Sequence, residues 1–153
     1  MKITVAAEPF DSTDARRLIA ALDAHLASRY SADQRFGPNL KPEHLATGLG
    51  TFVVARAGGR AVGCGALRRL DEATAEVKRM YVEPELRGQG VAKEILDHLE
   101  AAARAMGIHR LVLETGIYQA EAIGLYRRVG FDPVRCWGEY EGVLTSVCFE
   151  KNI

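Results

Sequence analysis

The sequence predicts an α/β (α+β) fold, a mixed β-sheet with helices on both faces. Three observations carry that prediction. Short β-branched and apolar runs, bounded by Gly, Pro and Asp, recur along the chain as strands do. Between them, apolar residues return at helical spacing. And at residues 75–107 a strand, a glycine-rich turn and a helix follow one another directly, the construction of an α/β ligand site. At 153 residues the chain predicts one domain, 1–153, large enough for a real core.

Lys2 to Ala7 alternates as a first strand. Asp11, Ser12, Thr13 and Asp14 supply cap candidates for a helix with Leu18, Leu22, His25 and Leu26 on one face. Its character fades at Ser28-Arg29-Tyr30-Ser31, and Phe36-Gly37-Pro38-Asn39 reads as irregular. A short helix is expected after Pro42, carrying Glu43, His44 and Leu45. Residues 51–57 form a strand, Gly58-Gly59 a turn and 60–70 a second strand, where Gly63 and Gly65 permit a bulge or close packing. With 75–82 they make an antiparallel meander. Val91, Ile95, Leu96, Leu99, Ala102, Ala103 and Met106 then share a helix face that Gly107 ends. Residues 110–114 form a buried-type strand, 119–129 a helix, and 133–140 and 145–150 the last two strands. The predicted order is β-α-α-β-β-β-α-β-α-β-β.

Twenty basic and twenty acidic residues leave no net charge, so nothing attracts nucleic acid or an anionic membrane globally. No apolar run approaches the ~20 residues of a membrane span, and the start of the chain lacks the apolar region of a signal peptide. Cys64, Cys136 and Cys148 have no metal spacing and are read as reduced thiols of a cytoplasmic protein. No metal is expected.

The turn itself is Arg87-Gly88-Gln89-Gly90-Val91-Ala92. The first-turn N–H groups of the helix behind it lack internal partners and carry partial positive charge. Glycines at 88 and 90 let the backbone approach a ligand, and Arg87 adds a cation: a phosphate site. A nucleoside-triphosphate loop is excluded, since G-x-x-x-x-G-K-[ST] is absent. A dinucleotide fingerprint loses its third glycine to Lys93, although Glu114 imitates the ribose-binding acid. Arg87-x-x-Gly90-x-Ala92 instead fits [RQ]-x-x-G-x-[GA], and with the strand before it and Ala122-Ile123-Gly124-Leu125-Tyr126-Arg127-Arg128-Val129-Gly130-Phe131 after it, the chain resembles the GNAT N-acetyltransferase superfamily over nearly its whole length.

That resemblance implies a sheet splayed where acetyl-CoA enters. It implies that Arg87, Gly88, Gln89, Gly90, Val91 and Ala92 hold the pyrophosphate. The end of the fourth strand (Met80, Tyr81, Val82) would pair with the pantetheine amides. Gln119 stands where many members place an asparagine on coenzyme A, and lengthens that amide. Tyr126 is implied as the general acid toward the departing thiolate, against a core tyrosine sharing a helix face with Ala122 and Val129. An alkyl ammonium must lose its proton before it attacks, which a carboxylate assists. Glu76, at the position of the base in some members, leads, with a cross-strand ion pair as the equal alternative; Glu114 is the second candidate.

Strand alternation places Glu76, Lys78, Met80 and Val82 on one face and Val77, Arg79 and Tyr81 on the other. Two adjacent cations in a covered strand imply a polar cleft or a buried pair. Read as a cleft, Lys78 and Arg79, with Arg29, Tyr30, Trp137 and Tyr140 at its mouth, suit a compact amine bearing an anionic group, such as an amino acid. Read as structure, the cations neutralise Glu76 or Glu114. The resulting expectation is direct acetyl transfer to a small amine, with a homodimer left open. A non-catalytic acyl-CoA sensor and a nicotinamide-dependent oxidoreductase are the alternatives.

Overall fold

The computed structural model describes residues 1–34 and 40–153; the stretch expected to be irregular at Phe36-Gly37-Pro38-Asn39 lies outside them. Strand β1 (Ile3–Ala7) leads into helix α1 (Thr13–Arg29), then into two 3-10 turns, Ala32–Gln34 and Pro42–Leu45. Strands β2 (Gly50–Ala57), β3 (Arg60–Arg69) and β4 (Thr74–Val82) form the expected meander, followed by α2 (Val91–Ala105) and β5 (Arg110–Gly116). Helix α3 (Ala120–Arg128), β6 (Asp132–Val134) and β7 (Ser146–Asn152) complete the order. The sheet runs β1-β2-β3-β4-β5-β7-β6.

Local chemistry places the helix ends. Ser12 accepts a hydrogen bond from the Ala15 N–H at 3.1 Å and so caps α1. Helix α2 closes on Gly107 at φ +77°. The Gly107 and Ile108 N–H groups there reach back to the Arg104 and Ala103 carbonyls at 3.0 Å each, a Schellman end that only a left-handed residue allows cheaply. The second helix expected before the meander is only the 3-10 turn at Pro42–Leu45.

Apolar side chains of both sheet faces are buried. On one face Val53, Val77, Leu113 and Phe149 pack with Ile95 and Leu99 of α2 and with Tyr126 of α3. On the other, Phe52, Val54, Cys64 and Ala66 pack with Ala15 and Leu18 of α1.

Three features of the sheet shape the site. Strands β4 and β5 are parallel but pair only at Thr74↔Arg110, Ala75↔Leu111 and Glu76↔Val112. β4 continues to Val82 and β5 to Gly116, so the strands part beyond that point and the expected splay is present. Second, β4 bulges: Ala66 pairs with Lys78 and Cys64 with Tyr81, so Arg79 and Met80 together oppose Gly65. Arg79 takes φ 56°, the sole positive φ of a non-glycine among the described residues. A Cβ on Gly65 would lie 2.7 Å from Met80 Sδ and from Ile95 Cγ2, which is why glycine stands there.

The bulge overturns the simple alternation expected for β4. Met80 and Val82 join Val77 in the core under α2. Tyr81 packs in the core under α1, and Arg79 pairs with Asp23 of α1. The extra residue shifts the side-chain parity by one, so Lys78 and Arg79 both serve the α1 side.

Third, the C-terminal region departs from expectation. The strand predicted over 133–140 is only Asp132–Val134, after which the chain loops into a 3-10 turn at Gly138–Tyr140. β6 is the sheet's outer edge, the place where Pro133 can lack an N–H without breaking a ladder. The loop folds back on β7, and Cys136 is disulfide-bonded to Cys148. The reading of three reduced thiols is therefore corrected for this pair. Cys64 alone is free, and burial pushes its thiol up to about 12.

Candidate active site

The glycine turn matches the demands read from its sequence. Gly88 and Gly90 sit at φ +78° and +88°, and an added Cβ at either would meet nothing within 4 Å. Glycine is needed there for the backbone angle, and space is open above it. Gly90 is the N-cap of α2, and no side chain caps that helix. Its first-turn donors are thus offered outward beside Arg87, whose Nε donates to the Val82 carbonyl at 2.9 Å and whose guanidinium lies 5.6 Å from the Tyr81 ring centre. Gln119 ends the loop before α3, and its buried Oε1 meets no donor in good hydrogen-bond geometry among the described residues. The imidazole of His25 in α1 interacts with this amide, which raises it against the lowering by burial and by the charges of Arg29 and Arg87. An uncapped helix start, an open glycine cradle and a buried amide oxygen with spare accepting capacity fit a phosphate- and amide-bearing cosubstrate such as acetyl-CoA.

The second half of the site flanks the parting of β4 and β5. Glu76 is 4% exposed. The Tyr140 hydroxyl donates to its Oε2 at 2.7 Å, and Lys78 Nζ lies 3.4 Å from the same oxygen and 3.2 Å from the Tyr140 hydroxyl. Burial first and the Glu76 carboxylate second push the Tyr140 phenol above its ordinary value, so it remains the donor. Glu114 stands two residues beyond the last β4–β5 pair and accepts from Ser146 Oγ at 2.7 Å. Burial raises its carboxyl, opposed by the Ser146 hydrogen bond and the charge of Lys78. Tyr126 comes from the α2 side of the sheet, wedged edge-on to Phe131 at 5.8 Å and tilted against Phe149 at 6.3 Å. Burial and then the Glu114 charge raise its phenol, keeping it protonated at neutral pH.

The residues expected at the acceptor mouth divide. Tyr140 and Lys78 join Glu76 and Glu114. Arg79 pairs with Asp23 at 2.8 Å, and Asp23 is 55% exposed. Arg29 and Tyr30 instead hold the loop before α3: Arg29 donates to the Tyr118 carbonyl, and the Tyr30 hydroxyl accepts from the Tyr118 N–H, both at 2.9 Å. Tyr30 also lies against Gly116, where any Cβ would run into its hydroxyl. Sequence reasoning missed Ser146, Asp23 and Tyr118. None carries a motif; each matters through a partner 32 to 88 positions away in the chain. Among the described residues no group of three or more His, Cys, Asp or Glu could hold a metal ion, and no helix is long and apolar enough to cross a membrane.

Comparison with known proteins accounts for this arrangement. The model of the acetyltransferase (GNAT) family matches residues 15–131. An IAA acetyltransferase of Azospirillum brasilense is 39% identical over 152 residues, covering 99% of this chain and 98% of that protein. The crystal structure of an acyl-CoA N-acyltransferase from Klebsiella pneumoniae superposes with a TM-score of 0.83 at 34% identity, covering 98% of this chain and 97% of that one. A GNAT acetyltransferase from Elizabethkingia anophelis, solved with acetyl-CoA bound, shares the fold at a TM-score of 0.68 and 18% identity, covering 99% of this chain and 98% of that one. With the family model spanning most of its length and a near full-length relative above 30% identity, the chain belongs to the GNAT acetyltransferase family and is an acetyltransferase.

Proposed function

We propose that this protein transfers the acetyl group of acetyl-CoA directly to the amine of a small metabolite, with Glu114 as general base and Tyr126 as general acid. The observation that carries this reading is the parting of β4 and β5 beyond Glu76 and Val112. Glu114 stands just past the last pair, within the electrostatic reach of Lys78 and Glu76, which Tyr140 joins by its hydrogen bond to Glu76. Tyr126, packed in the core on the α2 side, senses the Glu114 charge. Acetyl-CoA supplies an activated thioester; the chain's own residues bind it and move protons. The turn at 88–92 with Arg87 would hold the pyrophosphate, and the buried Gln119 Oε1 would offer an acceptor to an amide N–H.

Two carboxylates compete for the base, and their surroundings separate them. Glu76 is held at one oxygen by both Tyr140 and Lys78, so its role is to fix the wall of the cleft. Glu114 has one neutral hydrogen bond and a carboxyl raised by burial. A base raised toward the operating pH accepts a proton from an ammonium more readily. Tyr126, protonated at neutral pH, has the proton a leaving thiolate needs.

For the acceptor, Lys78 is committed to Glu76, whereas the ion-pair partner of Arg79 among the described residues is a half-exposed aspartate. Such surface pairs contribute little, so a substrate carboxylate can displace Asp23. Arg79 is also the bulged residue at φ 56°, a backbone cost that functional sites retain. These features support an amino acid or related carboxylate. The test compares an amino acid with its decarboxylated amine, for the wild type and Arg79→Gln. Higher kcat/KM for the amino acid, lost in the variant, supports the reading; preference for the plain amine overturns the acceptor class.

A further inference from the structure

Both carboxylates of the site receive their hydroxyl hydrogen bonds from one short stretch of chain. Tyr140 donates to Glu76 and Ser146 to Glu114, each at 2.7 Å. Residues 140 and 146 both lie inside the loop that the Cys136–Cys148 disulfide closes. Cys148 is itself the register partner of Glu114 across β5 and β7. Between the bridge and β7 the segment has only one 3-10 turn, at Gly138–Tyr140. Trp137, adjacent to the bridge, stacks edge-on against Tyr140 at 5.4 Å. At the far side of the loop Leu144 is 92% exposed, so that side adds little packing to hold it.

We propose that the disulfide-closed loop 136–148 is the positioning element of the active site, with Tyr140 its principal positioning residue, and that the thiol–disulfide state of this bridge sets the rate of acetyl transfer. The inference rests on the reading of the opening between β4 and β5 as the acceptor site. The bridge restricts the loop so that the Tyr140 hydroxyl stays on Glu76 and Lys78 stays between them. Opening it frees a loop of little regular structure, and the polar wall loses its anchor.

The opening step is a two-electron exchange with a dithiol. Its thiolate attacks the sulfur of Cys136, the half-buried member of the pair, and Cys148, which is 2% exposed, departs as the thiolate and takes a proton. The dithiol's second thiolate then displaces Cys136, leaving two protein thiols and one oxidised reductant.

Trp137 is the chain's one tryptophan, so intrinsic fluorescence reports this loop directly. The experiment takes the oxidised protein, the protein reduced with dithiothreitol, and Cys136→Ser/Cys148→Ser. It measures acrylamide quenching of Trp137, acetyl-CoA affinity by calorimetry, and acetyl transfer by chromatographic quantification of the acetylated amine, which a thiol reductant does not obscure. Reduced wild type and double variant are expected to show greater quenching and kcat/KM for the amine about ten-fold lower, the scale of one lost hydrogen bond to a charged group. Acetyl-CoA affinity should stay unchanged, and dithiothreitol should have no effect on the double variant. Tyr140→Phe should lower kcat/KM in the oxidised state and remove most of the further loss on reduction. Equal quenching in both redox states overturns the proposal, as does greater quenching with unchanged kcat/KM. If the double variant fails to fold, the reduced wild type decides alone. Absence of acetyl transfer in every state refutes the acceptor-site reading, and with it the redox control of rate, while the quenching result still decides the loop's dependence on the bridge.

Discussion

Glu76→Gln tests whether the buried carboxylate fixes the cleft wall. The side chains of Lys78 and Glu76 are 9% and 5% exposed, so little water can replace a lost charge. Glutamine keeps an oxygen for Tyr140 and Lys78 but takes from the ammonium its directly paired carboxylate, leaving only the more distant Glu114 charge. Removing one partner of a buried pair costs about 3–5 kcal/mol. The separation of 3.4 Å and the neighbouring Tyr140 hydroxyl, which still solvates Lys78, set the expectation at the lower end, about 3 kcal/mol. For a chain of this size that lowers Tm by about 6–12 °C. Urea unfolding at neutral pH, checked by calorimetry, measures it. Glu76→Gln/Lys78→Met should recover most of the loss, because the buried charge is then gone as well. A single variant within about 0.5 kcal/mol of wild type, the range of an ordinary surface change, would refute the reasoning. So would a double variant no more stable than the single.

Further predictions concern the rest of the site. Glu114 has a raised carboxyl; its contribution to stability is full below the unfolded carboxylate value and lost as pH rises through the folded one. Glu114→Gln should therefore flatten the fall of the urea midpoint as pH rises above the unfolded carboxylate value of about 4. It should also remove the acidic limb of kcat/KM, which lies above the usual carboxylate range in the wild type; an unchanged limb assigns the base elsewhere. Tyr126→Phe keeps the ring among Phe131 and Phe149 and deletes the proton, so kcat should drop by about 10²–10⁴-fold with acetyl-CoA affinity intact; wild-type kcat with chemistry rate-limiting excludes Tyr126 as the acid. Gly90→Val places a β-branched residue at φ +88° and its side chain into the cradle, and calorimetry should show acetyl-CoA binding lost; equal affinity refutes the phosphate site. Gly116→Ala drives Tyr30 off its seat and breaks its bond to Tyr118; overpacking on this scale costs about 1–3 kcal/mol, and an unchanged urea midpoint would show that the clasp is unimportant.

What the sequence determined alone was whatever depends on neighbours along the chain. The turn at 87–92, the apolar face of α2 and its Gly107 end, the meander and the helix carrying Tyr126 are set by local periodicity, glycine and capping. Each appears within a residue or two of its expected place. The pairing of Lys78 with Glu76 was one of two readings that alternation left open, and burial decided between them.

Only the tertiary structure could decide the rest. The parity of β4 changes at Arg79 because Gly65, on the adjacent strand, opposes two residues rather than one; no pattern within β4 announces this. The last strand pair was misjudged because β6 follows β7 only through Val134, after which the chain leaves the edge, turns at Gly138–Tyr140 and brings Cys136 onto Cys148. Ser146 meets Glu114, and Tyr140 meets Glu76, across separations of 32 and 64 residues. Such contacts follow from strand order, which long-range packing selects, and the two carboxylates therefore acquired different surroundings only in the folded chain.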